Sequence, residues 1–176
     1  MFLETERLIL REFEEKDFED FLDYAKDPEM CRMMGEYNLS DPAAARRFFD
    51  HLKNEETRAY ALILKDTDRL VGNLTVCLPS PSVLKHRFVA GKNGRKLSFS
   101  ISRRYRRQGL VIEAASHVIE RLFLIEGIDY ISCGYFSFNT PSRELQKKLG
   151  FTKLLVEPIV IDGETIDSVE NILFRT

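Results

Sequence analysis

Between Ser102 and Ala115 the chain crowds four arginines, Arg103, Arg104, Arg106 and Arg107, against Gly109, and a long apolar periodicity begins directly afterwards. A strand that ends, a short turn and a helix that begins make a site for an anion. The first amides of a helix have no partner within it, and the helix dipole adds its own attraction for negative charge. Glycine in such a turn lets a phosphate approach the backbone, because no side chain intervenes. The chemistry this segment suits is the grip of a phosphate or diphosphate. Read in isolation, the arginine cluster fits a solvated basic face equally well, so the remaining segments have to decide.

Composition narrows the choice. The 28 acidic against 26 basic side chains give a formal net charge of -2, which argues against nucleic acid and against an anionic membrane as partners. No apolar run is long enough to span a bilayer and no secretory signal opens the chain, so a cytoplasmic protein is expected. The histidines His51, His86 and His117 fall at no metal-ligand spacing, either with one another or with Cys31, Cys77 and Cys133. No metal is expected, and the cysteines read as buried, reduced thiols. A length of 176 residues suits one domain over 1–176.

The elements that must position the turn follow from periodicity. Arg7 to Phe13 alternates as a strand, and Phe18, Phe21, Leu22 and Ala25 share one helical face. Ser40-Asp41-Pro42 caps a second helix with Ala45, Phe48, Phe49 and Leu52 on its apolar side. Ala59 to Leu64 and Leu70 to Leu78 read as a hairpin, and Pro79 to Arg95 as a long mobile loop. A strand over Lys96 to Ile101 feeds the turn, and the helix Leu110 to Glu126 leaves it, closed by Gly127. Strand Ile128 to Phe136 follows, then a short helix Ser142 to Leu149 in which Ser142 is a natural cap, and a final hairpin turning at Asp162-Gly163. The order predicts an α/β (α+β) domain, a mixed sheet with helices packed on it.

Separate stretches, in the right order, resemble the GNAT acetyltransferases, and most nearly their ribosomal-protein N-terminal branch. Glu4-Thr5-Glu6-Arg7-Leu8-Ile9-Leu10-Arg11 looks like that branch's opening strand, and Arg106-Arg107-Gln108-Gly109 like the first part of the coenzyme A loop. Asn139-Thr140-Pro141-Ser142 with Lys148-Leu149-Gly150-Phe151 resembles the family's Asn-x-x-Ser turn, helix and Leu-Gly-Phe ending, and Ile161-Asp162-Gly163 its closing hairpin. The resemblance implies a single, mostly antiparallel sheet of about seven strands, splayed in the middle, with about four helices. It also implies direct transfer of an acetyl group from acetyl-coenzyme A to a primary amine, without a covalent enzyme intermediate. By the same resemblance, the main chain from Arg106 through Arg107, Gln108, Gly109 and Leu110 to Val111 holds the cofactor's pyrophosphate. Ile101 and Ser102 would pair with its pantetheine arm, an amide between Ile101 and Arg103 would face the oxyanion, and Asn139 would touch the cofactor from the other side. Ser142 would meet the departing thiolate.

Departures from the pattern bear on activity. Val111 stands where a small residue is usual and threatens to crowd the phosphate. Lys96-Leu97-Ser98-Phe99 replaces an acid and a glycine, and Gln146 replaces the tyrosine that many relatives carry. The acceptor is open between a protein N-terminal α-amino group and a small amine such as a polyamine or aminoglycoside, as is a degenerate protein that binds coenzyme A without turnover. Candidate bases are Glu36, Tyr37 and His86, none decisive. A monomer and a homodimer are both compatible with the sequence.

Overall fold

The computed structural model describes residues 2–35, 39–54, 57–161 and 163–175. The chain forms two compact units, one of residues 1–76 and 99–117, the other of residues 77–98 and 118–176.

In the first unit, β1 (Leu3–Glu4) pairs antiparallel with β2 (Leu8–Arg11), β2 with β3 (Ala59–Leu64), and β3 with β4 (Arg69–Cys77). Three helices follow β2: α1 (Phe18–Ala25), α2 (Pro28–Met34) and α3 (Pro42–Lys53). Asp41 caps α3 by accepting from the amides of Ala43 and Ala44, with Pro42 at its start, as the sequence predicts. Asp27 caps α2 in the same way, its Oδ1 accepting from Glu29 N at 3.0 Å, with Pro28 in the first turn. That helix is absent from the sequence reading, although Asp27-Pro28 carries the same signal as Asp41-Pro42. The apolar faces meet over Phe13, Phe21 and Phe49, buried rings that pack edge-on or tilted, with Leu52, Ala61 and Ile63 around them.

The second unit holds α4 (Pro81–Leu84), most of β5 (Gly94–Ile101), the end of α5 (Leu110–Leu124), β6 (Tyr130–Phe136), α6 (Thr140–Lys148), β7 (Thr152–Ile161) and β8 (Glu164–Phe174). Strand β6 pairs antiparallel with β8, and β8 with β7. The β5–β6 ladder is parallel and has three residue pairs only, ending at Lys96↔Ser132 although both strands continue. Gly94 opens it because a Cβ there would meet the buried Tyr130 ring at 2.1 Å.

The segment Pro79 to Arg95 is not the mobile loop expected. Ser80 Oγ caps α4 by accepting from Val83 N, a 3-10 turn follows at Arg87–Val89, and Val83 and Val89 are buried against Tyr130 and Ile172. Those two valines anchor the segment, and proline and glycine content alone concealed them. In all, the described residues form eight strands and six α-helices; β1, α2 and α4 are the additions to the sequence reading. Cys77 is exposed, against expectation, whereas Cys31 and Cys133 are buried thiols.

Candidate active site

The turn that precedes α5 begins where β5 ends. A 3-10 turn at Arg103–Tyr105 leads to Arg106 in extended conformation; Arg107 and Gly109 then take positive φ values of 62° and 79°. A left-handed arginine is strained, at about 1 kcal/mol or more, and such strain concentrates at functional sites. Among the described residues, the amides from Arg107 to Ile112 donate to no partner; the first helical amide that does is Glu113, on the Gly109 carbonyl at 3.0 Å. Arg107, Gln108 and Gly109 are exposed, so those donors face solvent at the positive end of α5. A Cβ built on Gly109 would touch only Arg7 Nη2, at 3.4 Å. Free amides, an open approach and a helix start fit the residues to a diphosphate.

Val111, suspected of crowding this site, has its side chain buried at 5% exposure, beside the buried Leu110 and Ala114. It therefore belongs to the core, and only its amide is offered to the turn. The arginine cluster is likewise not a free face. Arg106 lies 3.3 Å and Arg103 3.6 Å from Glu29, and Arg104 3.8 Å from Asp23. Arg107 has no ion-pair partner among the described residues.

Below the end of β5, Tyr24 donates its hydroxyl to Asn73 Oδ1 at 3.0 Å, and Ser100 donates to the same oxygen. Burial pushes the Tyr24 phenol up, which keeps it protonated and unsuited to act as a base. A cleft of about 250 Å³ beside it is lined by Asp23, Tyr24, Asp27, Ser102, Arg103 and Arg104, a mixture of charges and not a purely acidic groove. The main chain of Ser102 is already engaged: its amide donates to Val71 at 2.8 Å and its carbonyl accepts from Tyr105 at 2.9 Å. That amide is therefore not available as the oxyanion donor, which leaves Ile101 and Arg103 of the expected stretch for that role, while the Ser102 carbonyl keeps a second lone pair for main-chain pairing.

In the second unit, α6 starts at Thr140, two residues before the expected Ser142, and Asn139 caps it by accepting from Ser142 N at 3.1 Å. Ser142 is thus not the cap. Its Oγ accepts from Gln146 Nε2 at 3.1 Å, and no acceptor for its own proton is found among the described residues. Gln146 is fully buried, donates also to the Gly134 carbonyl at 3.2 Å, and accepts from Asn171 Nδ2 at 3.0 Å. The residue in the tyrosine's place therefore orients Ser142 and has no acidic proton to transfer.

Lys96, in the place of an acid, donates to Glu170 of β8 at 2.6 Å. Glu170 is buried, and its Oε2 finds no hydrogen-bond partner among the described residues. Sequence reasoning missed this carboxylate, which stands between Val169 and Asn171 in a strand of mixed polar and apolar residues and carries no local sign of its burial. His86 caps the local 3-10 turn through Nδ1 and Phe88 N, while Glu36, Tyr37 and Asp162 lie outside the described residues. No group of three or more histidine, cysteine or carboxylate side chains among the described residues is placed to hold a metal ion, and no described helix is long and apolar enough to cross a membrane.

The model of the acetyltransferase (GNAT) domain matches residues 7–152. The chain belongs to the GNAT acetyltransferases. A relative, the uncharacterized N-acetyltransferase YnaD of Bacillus subtilis, is 24% identical over 153 residues, covering 87% of this chain and 84% of its own. Among solved structures, a GNAT acetyltransferase of Bacillus anthracis superposes with a TM-score of 0.81 at 23% identity over 99% of both chains. The ribosomal-protein-S5-alanine acetyltransferase of Vibrio fischeri has a TM-score of 0.69 at 15% identity, with 99% of this chain and 97% of that one covered. These likenesses carry the fold. As a GNAT domain the protein is an acyltransferase, and GNAT domains use acetyl-coenzyme A as donor.

Proposed function

We propose that this single catalytic domain transfers the acetyl group of acetyl-coenzyme A directly to a primary amine, a protein N-terminal α-amino group being the favoured acceptor. The observation that carries the reading is the run of unpartnered amides from Arg107 to Ile112 at the head of α5, suited to the donor's diphosphate. Ile101 would pair with the pantetheine arm, and Asn139 would touch the donor while it caps α6. Ser142 meets the departing thiolate: its oxygen is fixed by Gln146, its own hydrogen is free to point at the sulfur, and a proton taken from solvent, matched by the one the attacking amine releases, leaves the serine hydroxyl intact as the thiol forms. A free α-amino group, with an ordinary pKa near 7.7 to 8.0, loses its proton to water readily enough to need no dedicated base. A protein N-terminus is favoured over a small cation by two features: the cleft at Asp23 and Asp27 is balanced by Arg103 and Arg104, and a solved relative in fold acts on a ribosomal protein.

The test is a screen of ribosomal-protein N-terminal peptides, polyamines and aminoglycosides, read by release of free thiol from acetyl-coenzyme A. Peptides are expected to give turnover well above the solvent background. Release with polyamines or aminoglycosides alone would move the acceptor to the small-amine class, and tight binding with no release across the panel would remove the transferase reading.

A further inference from the structure

Thr5 and Arg7 lie more than a hundred residues from α5 in sequence, yet their side chains end on its first turn. Arg7 Nε and Nη2 each lie 2.7 Å from Glu113 Oε2, the Arg7 amide donates to Glu113 Oε1 at 2.8 Å, and Thr5 Oγ1 donates to that same oxygen. The remaining arm of the guanidinium, Nη1, donates to the Gln108 carbonyl at 2.8 Å. On the far side of the turn, Gln108 Nε2 donates to the Arg104 carbonyl at 3.1 Å.

Two consequences follow for the main chain. In a planar trans peptide the carbonyl of one residue and the amide of the next point in opposite directions. With the Gln108 carbonyl drawn to Arg7, the Gly109 amide is turned away from Arg7, and positive φ at Arg107 and Gly109 brackets it in a curved run of donors. The second consequence is electrostatic. Glu113 sits in the first turn of α5, where an uncompensated carboxylate would repel an incoming diphosphate. Burial disfavours its charge, but the hydrogen bonds from Thr5 and from the Arg7 amide and guanidinium outweigh that, and hold the carboxyl below its ordinary value. The guanidinium supplies the counter-charge.

We infer that Arg7 is a positioning residue for donor binding: one guanidinium neutralises Glu113 and fixes the Gln108 peptide, so that the Gly109 amide faces the diphosphate. This rests on reading the turn as the diphosphate site. Both functions need a planar fork. A lysine supplies charge to Glu113 as a single point and cannot hold Glu113 and the Gln108 carbonyl together.

The experiment is calorimetric titration of coenzyme A into the full chain, its Arg7→Lys and Arg7→Gln variants, and Gly109→Trp. Arg7→Lys is expected to keep the thermal unfolding transition and to bind about tenfold more weakly, and Arg7→Gln to lose about another tenfold. Arg7 is 43% exposed, which favours folded variants. If Arg7→Lys does not fold, Arg7→Gln/Glu113→Gln, which leaves no unpaired carboxylate, carries the same test with the same tenfold expectation. Wild-type affinity in Arg7→Lys, or in that double variant, overturns the inference. The site itself is checked separately by Gly109→Trp: lost binding there with wild-type affinity in Arg7→Lys defeats the inference alone, whereas unchanged affinity in Gly109→Trp defeats the placement of the diphosphate.

Discussion

Gly109→Trp is expected to abolish measurable binding of acetyl-coenzyme A in a calorimetric titration while the protein unfolds cooperatively near the wild-type temperature. Gly109 is exposed, and beyond its chain neighbours only Arg7 Nη2 lies within 4 Å of where its Cβ would stand. An indole there occupies the volume that a diphosphate needs to reach the amides. The substitution also forces a bulky side chain to φ of 79°, at a cost of about 1–2 kcal/mol. That is small beside the roughly 5–15 kcal/mol by which domains are stable, so the fold survives. Gly109→Ala separates the two effects, since it carries the same strain without the bulk and should lose far less affinity. If Gly109→Trp binds as tightly as the parent, the diphosphate lies elsewhere.

Ser142→Ala acts on a different quantity. The variant is expected to turn over about 10- to 100-fold more slowly with the amine selected by the screen, with the dissociation constant for acetyl-coenzyme A changed by no more than about twofold. A hydroxyl that meets the departing thiolate stabilises the transition state and not the bound donor. Because Asn139 caps α6 and Ser142 does not, loss of the hydroxyl leaves the helix start intact. It does leave one Gln146 N–H without its acceptor in a buried place, worth about 1 kcal/mol of stability, which a denaturation curve would register. A turnover number equal to the parent's would reduce Ser142 to a partner of Gln146.

Much of this architecture is legible along the chain. Asp41-Pro42 announces α3, apolar runs on either side of a polar turn announce β3 and β4, and arginines followed by glycine mark the start of α5. Each is a local signal, written in the residues that form the element. What the sequence conceals are choices of partner. Periodicity shows that Val111 and Gln146 each lie on a helix, but not that Val111 turns into the core or that Gln146 holds Ser142. The contact between Arg7 and Glu113 spans 106 positions, and that between Lys96 and Glu170 spans 74. Lys96 and Glu170 each stand in a strand of mixed polar and apolar residues, where nothing local names a partner. The engaged amide of Ser102 is hidden for the same reason, since its acceptor Val71 lies on another strand.

The curvature of the turn is held by the chain's own contacts, the Arg7 guanidinium on the Gln108 carbonyl and Gln108 Nε2 on the Arg104 carbonyl, so the energy of bending it, left-handed Arg107 included, is met during folding and not on encounter with the donor. A receptor shaped in advance should capture coenzyme A in one kinetic phase whose rate rises linearly with concentration, with no slow isomerisation behind it. Differences in grip between donors and their analogues would then appear in how long each stays bound.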